Sequence, residues 1–237
     1  MPDHLHVASE SEDEHADARR LGRVLGHVAR NFDMPGFTGV EVTPVHNARI
    51  AARTVRYIVR NACAAELVED PLEWPWSTHR DVLGAVANPW VDAERLASAL
   101  GQPREGFVAA HHRYVSTDAH RAPYGSPLPV PARAAVAPRY SLPDYARAAA
   151  SAMRGEPADI QGSGRVRQLF VQVAVATGWR DQRSLALACR ASRSTIWRLS
   201  NRDCPELSAG LLCLGDARLL EHRVRLAGET MRRKNAS

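Results

Sequence analysis

Residues 1–7 read MPDHLHV, and whether they form a strand decides the fold class of the first half of the chain. His4 and His6 stand one residue apart. In an extended strand alternate side chains share a face, so the spacing predicts two imidazoles pointing the same way. Such a pair on a rigid face can hold a divalent cation. It becomes a reaction centre only if the chain supplies a third ligand and a reactive group.

Both are offered by YIVRN, residues 57–61. Tyr57 and Asn61 lie four apart on a segment with helical apolar spacing, so they share a face one turn apart. An asparagine amide oxygen is a hard ligand suited to Mg²⁺ or Mn²⁺. A phenolic oxygen can attack phosphorus once activated. The same residue types also sit on the rim of ordinary amphipathic helices, facing core and water. Arg53, Arg56 and Arg60 flank this face, either to meet DNA phosphates or to form a solvated surface.

Working outward, SESEDEHADARRLGRVLGHVARNF predicts a helix, capped by Ser9 or Ser11 and carrying acids early and arginines late. MPGFTGVEVTPV predicts a short strand between turns. NARIAARTVRYIVRNACAAELV predicts a long helix, and EDPLEWPWSTHRDVLG a Pro- and Trp-rich loop with a helical tail. WVDAERLASALG and REGFVAAHHRYV predict two short helices. Prolines crowd residues 116–143, which marks a linker. Helices follow throughout residues 144–226, with a frayed tail at 227–237. His79, His111 and His112 are expected at the surface or rim.

The chain has 237 residues and a 45% apolar fraction, enough to fill a core. No apolar run is long enough to span a bilayer, and the first twenty residues are acidic rather than signal-like, so no membrane partner and a cytoplasmic setting are expected. Four cysteines without a CxxC pair read as reduced thiols. The net charge of +5 points to an anionic partner. Lys234 is the only lysine, and arginine suits phosphate, although GC-rich coding also favours it.

MPDHLHV resembles the HUH motif (His, bulky apolar residue, His) of the single-tyrosine transposases. RYIVRNACAAELVEDPLEWPWSTHRDVLG is similar to the segment around their catalytic tyrosine, which reads YIxxNPVRAGLVxxPxxWPWSSYxxxxG. The subgroup it resembles is the REP-associated tyrosine transposases, relatives of insertion-sequence transposases. The likeness covers residues 1–84, and extends more loosely to 115. It implies an α+β fold over 1–115, an HUH antiparallel sheet with helices from about residue 80 onward. That sheet would lack its first strand, because family members begin well before the motif. It implies Tyr57 as nucleophile, and His4, His6 and Asn61 as ligands of Mg²⁺ or Mn²⁺. The activity implied is cleavage and rejoining of single-stranded DNA at a hairpin, through a 5′-phosphotyrosine, with a homodimer as a further expectation. NACAAELV departs from NPVRAGLV: an arginine is lost at Ala64, and Glu66 stands where the family has glycine.

RSLALACRASRSTIWRLSN, residues 183–201, resembles a helix-turn-helix for duplex DNA in an all-α second domain. Ser192 can cap its second helix, and Ile196 and Leu199 can anchor it. Arg193, Ser194, Thr195 and Arg198 would then face a groove, with Arg202 near the backbone. Arg190 occupies the turn position where glycine is usual and must accept a left-handed conformation. The competing reading is a plain helical bundle with an arginine-rich surface. Two functions follow: a tyrosine transposase, or a helix-turn-helix DNA-binding protein whose transposase half is inactive.

Overall fold

A computed structural model of the chain describes residues 5–11, 13–31, 40–116 and 140–220. Among them every regular element is a helix, so the α+β expectation with its antiparallel sheet does not hold. The reason is that a strand is a property of a pair. The alternation is present in Leu5–Val7, where Leu5 and Val7 are 61% and 52% exposed and His6 turns inward. No described segment pairs with it, so its backbone groups join no ladder. Residues 40–45 likewise form no regular element, and Pro44 removes one of the donors a ladder needs.

Five helices and their connections form the described part of the first half. Helix α1 (Glu14–Asn31) starts at Asp13, whose Oδ1 accepts from the Ala16 N–H at 2.9 Å. Asp13, rather than Ser9 or Ser11, is therefore the cap. Helix α2 (Ala48–Ala64) is capped by Asn47, whose side chain accepts from the Ile50 N–H at 2.8 Å. A short 3-10 turn (Pro71–Glu73) leads to α3 (His79–Val82), then α4 (Ala93–Ala99) and α5 (Phe107–Val115). A small apolar cluster of Val82, Ala97, Leu100 and Phe107, with Ala51 and Val55 against it, joins α2, α3, α4 and α5.

The main core surrounds α6 (Leu142–Met153), where Ala146, Ala148, Ala149, Ala150 and Ala152 are all buried. Alanine on several sides lets neighbouring helices approach closely, and α7 (Arg165–Ala176) and α10 (Leu207–Gly215) both pack on it. At Gly210 a Cβ would lie 2.6 Å from a methyl of Val173, so α7 and α10 meet with no room for a side chain. Between them come α8 (Gln182–Ala188) and α9 (Arg193–Ser200), and α11 (Ala217–Leu220) closes the bundle.

This core is shared with residues far back in the chain. Leu72, Leu83 and Ala85 belong to the same buried cluster as Tyr145, Phe170 and Leu214. Arg80 is the stitch. Its guanidinium is 2% exposed, donating to Leu72 O at 2.7 Å and to Ser151 Oγ at 2.6 Å. Ser151 Oγ in turn donates to Leu219 O at 2.6 Å. Burial lowers the Arg80 pKa to about 10, which leaves it charged at neutral pH. Arg218 pairs with the buried Asp70 at 3.3 Å, and the Cys213 thiol donates to Ala85 O at 3.2 Å.

Candidate functional site

Three helices build the unit that the sequence marks as a helix-turn-helix. Asp181 caps α8 by accepting from the Arg183 and Ser184 N–H groups, and chiefly the Ser184 bond holds its carboxyl below the usual range. Helix α8 ends in a left-handed Arg190, φ +47°, with the Ala191 N–H donating back to Ala186 O at 2.9 Å. That six-residue closure is the normal way to finish a helix whose next residue is left-handed. The expected conformation at Arg190 is therefore the one adopted. Ser192 then caps α9, accepting from the Thr195 N–H at 3.2 Å.

Helix α7 pins this unit to the bundle. Arg167 donates to Cys189 O at 3.0 Å, and Gln172 donates to Arg202 O at 2.7 Å and also to Leu199 O. Leu185 and Ile196 are fully buried beneath it. The opposite side faces solvent: Arg193, Ser194, Arg198 and Arg202 are exposed, and Thr195 is half-buried. The hydroxyls of Ser194 and Thr195 lie 2.8 and 2.9 Å from Ser192 Oγ, so they belong to the cap network before any ligand arrives. A groove of about 340 Å³ is lined by Arg183, Ala186, Leu187, Arg190, Ala191 and Arg193. Leu187 and Trp197 are exposed beside these arginines. Sequence reasoning missed both, although Leu187 falls on the face of α8 opposite the buried Leu185.

The tyrosine expectation falls on α2. Tyr57 is 58% exposed, and the His6 ring meets it edge-on with centroids 5.4 Å apart. Two residues separated by fifty positions, and chosen for the same chemistry, are thus adjacent. Asn61 lies one turn further along and is half-buried, with its Nδ2 lacking a hydrogen-bond partner. Half a turn about Cβ–Cγ would put the amide oxygen in that place instead. His4 lies outside the described residues. One imidazole and one amide beside a phenol suit a hard divalent cation in kind and need a further ligand in number. Among the described residues no three His, Cys, Asp or Glu side chains converge as a metal site.

The arginines of α2 divide. Arg53 is exposed, and Arg60 is half-buried. Arg56 is committed within the fold: its Nε donates to Tyr114 O at 2.8 Å, and its guanidinium lies 5.4 Å from the Tyr114 ring centroid. A further basic groove runs along α1, lined by Arg19, Arg23, His27 and Arg30.

His79, His111 and His112 are buried, not at the rim. His79 Nε2 and His112 Nδ1 share a hydrogen bond at 3.0 Å with their rings stacked, and His111 stacks on Phe107 at 5.2 Å. The signal lay in the spacing. Phe107, His111 and Val115 fall four apart, which places His111 on the apolar stripe of α5. Desolvation, then the neighbouring imidazoles, lowers the His79 pKa well below its usual value, and burial lowers His111 to about 4. The cysteines are inert thiols: burial raises Cys63, Cys189 and Cys213 to about 11.

Among the described residues no helix is long and apolar enough to cross a membrane. No family model, no curated protein and no solved structure matches the chain.

Proposed function

We propose that this chain is a DNA-binding protein that engages duplex DNA through α8 and α9. The observation that carries the reading is the arginine-rich outer face of a capped two-helix unit, held from beneath by α7. Arg193 and Arg198 approach base edges or phosphates from α9, while Arg183, Arg190 and Arg202 lie along the flanking backbone. Arginine forks match both guanine edges and phosphate oxygens. The test is fluorescence anisotropy of the full chain with a labelled mixed-sequence duplex across a salt series. Arg198→Ala should weaken binding by about tenfold and reduce the slope of log K against log salt by about one. Equal affinity and slope in wild type and variant would sink the reading.

A second reading is favoured by one observation, the packing of His6 against Tyr57. In it the chain also cleaves and rejoins single-stranded hairpin DNA, as a REP-associated tyrosine transposase does. The Tyr57 oxygen attacks a backbone phosphorus, the bond to the 3′ oxygen breaks, and the strand leaves with a free 3′-hydroxyl. One phosphoester replaces another, so the bond energy is kept for rejoining. Mg²⁺ or Mn²⁺ held by His4, His6 and Asn61 would supply Lewis-acid polarisation of the phosphate. This reading rests on an exposed phenol on α2 beside an imidazole and an amide, and needs one further metal ligand. Its test is a covalent protein–DNA band on a denaturing gel with hairpin oligonucleotides from the gene's own flanks. The band should vanish with Tyr57→Phe and His6→Ala, and its persistence in Tyr57→Phe would remove Tyr57 from the chemistry.

A further inference from the structure

Trp90 stands out among the aromatic residues because it is both exposed and fixed. The turn between α3 and α4 leaves 82% of it open to solvent. Its backbone N–H nevertheless donates to Asp81 Oδ2 at 2.7 Å, and the Val91 N–H reaches the same oxygen at 3.3 Å. Asp81 is buried, and its other oxygen takes the guanidinium of Arg154. Arg154 ends α6 in a left-handed conformation, φ +53°, and its Cζ lies 4.9 Å from the centroid of the Trp90 indole. One buried carboxylate thus holds both halves of a cation–π pair. The Ala87 N–H donates to Ala152 O at 2.9 Å, which ties the same turn to the centre of the bundle.

We infer that Trp90, backed by Arg154, is a stacking platform for an unpaired base of single-stranded DNA. The inference rests on the reading of the chain as a DNA-binding protein but uses none of the residues of α8 and α9. Arg154 lies over one indole face and the other is open to solvent, which is the surface a nucleobase stacks on. The guanidinium beside it offers charge to the adjoining phosphate, in a chain of net charge +5. A cationic ligand such as a methylated amine is disfavoured, because the ring already carries a cation. The platform is pre-organised, so little ordering cost falls on binding.

The experiment uses the full chain and two labelled probes, oligothymidylate of about 20 nucleotides, which cannot pair with itself, and a mixed-sequence duplex of similar length. Trp90→Ala and Trp90→Leu should each weaken oligothymidylate binding by about tenfold, the loss of one base stack. Trp90→Phe, which keeps a π face, should retain most of the affinity. All three should bind the duplex as wild type does, while Arg198→Ala should show the reverse pattern. Wild-type affinity for oligothymidylate in a folded Trp90→Ala or Trp90→Leu chain would overturn the platform, as would failure of the wild-type chain to bind oligothymidylate. A lower oligomeric state of Trp90→Ala by sedimentation without DNA would also overturn it, by assigning the indole to a second copy. Wild-type duplex binding by Arg198→Ala would sink the reading of α8 and α9 and leave the platform intact, so the two readings fail separately.

Discussion

Among the described residues three non-glycine positions carry positive φ, Glu66, Arg154 and Arg190, and each finishes a helix. The backbone closes behind them in the same way, with Leu67 N–H to Ala62 O, Gly155 N–H to Ala150 O and Ala191 N–H to Ala186 O. A side chain in this region crowds its own carbonyl, which glycine avoids. At Arg190 the side chain lines the proposed groove, so strain and function compete at one position. Arg190→Gly should raise stability by about 1 kcal/mol while weakening duplex binding, and Arg190→Val should lower stability. Urea unfolding beside anisotropy checks both, and a destabilised Arg190→Gly would contradict the account. Arg154 differs, because its guanidinium pairs with Asp81, so glycine there removes a partner from a buried carboxylate. Glu66 and Arg190 were legible as unusual positions from the sequence, since glycine is the expected residue at each. Arg154 was not, because its role depends on Asp81, seventy-three positions earlier.

At the scale of elements, α3 and α5 meet through the three buried histidines. The folded-state pKa values of His79 and His111 lie below that of a free imidazole, most concretely for His111 at about 4. His79 faces His111, His112, Arg218 and Arg80, all of which oppose a proton on it. Between about pH 6.5 and 4 the unfolded chain takes up a proton at position 111 that the fold refuses. Stability therefore falls as pH drops through that window, by about 3 kcal/mol for His111 alone, and is flat in this respect above pH 7. Urea midpoints at pH 7 and pH 5 should differ, and His111→Gln should shrink the difference. An unchanged pH slope in that variant would rule the cluster out as its source. The helices themselves were legible, because caps and apolar periodicity are local properties. The strands were misread for the complementary reason. Alternation in residues 5–7 is visible in their exposure, but pairing is decided by another segment, which no short window contains.

For the whole molecule, the decisive contacts run between distant stretches. Leu72, Leu83, Ala85 and Arg80 complete a core whose other members begin at Tyr145. A chain cut to residues 140–237 should therefore melt well below the full protein, having lost three apolar side chains and the Arg80 bonds to Ser151. Leu72→Ala in the full chain should cost roughly 2–5 kcal/mol. Thermal circular dichroism reads both, and equal melting of fragment and full chain would show the bundle to be independent. The sequence singled out both His6 and Tyr57, whose rings meet in the fold. The Trp90 platform was not, because Arg154 reaches it from another helix.

The Arg80 stitch also bears on how the protein is made. Its guanidinium touches Arg218 O, 138 residues further along, and Ala85 waits for Cys213 across 128 residues. At ordinary ribosomal speed that separation is roughly ten seconds. Throughout that interval a nascent chain holds out Leu72, Leu83 and an unneutralised arginine with no bundle to receive them. Its yield in a cell should therefore depend on translation rate and on chaperones that shelter early apolar segments, more than its final stability alone would suggest.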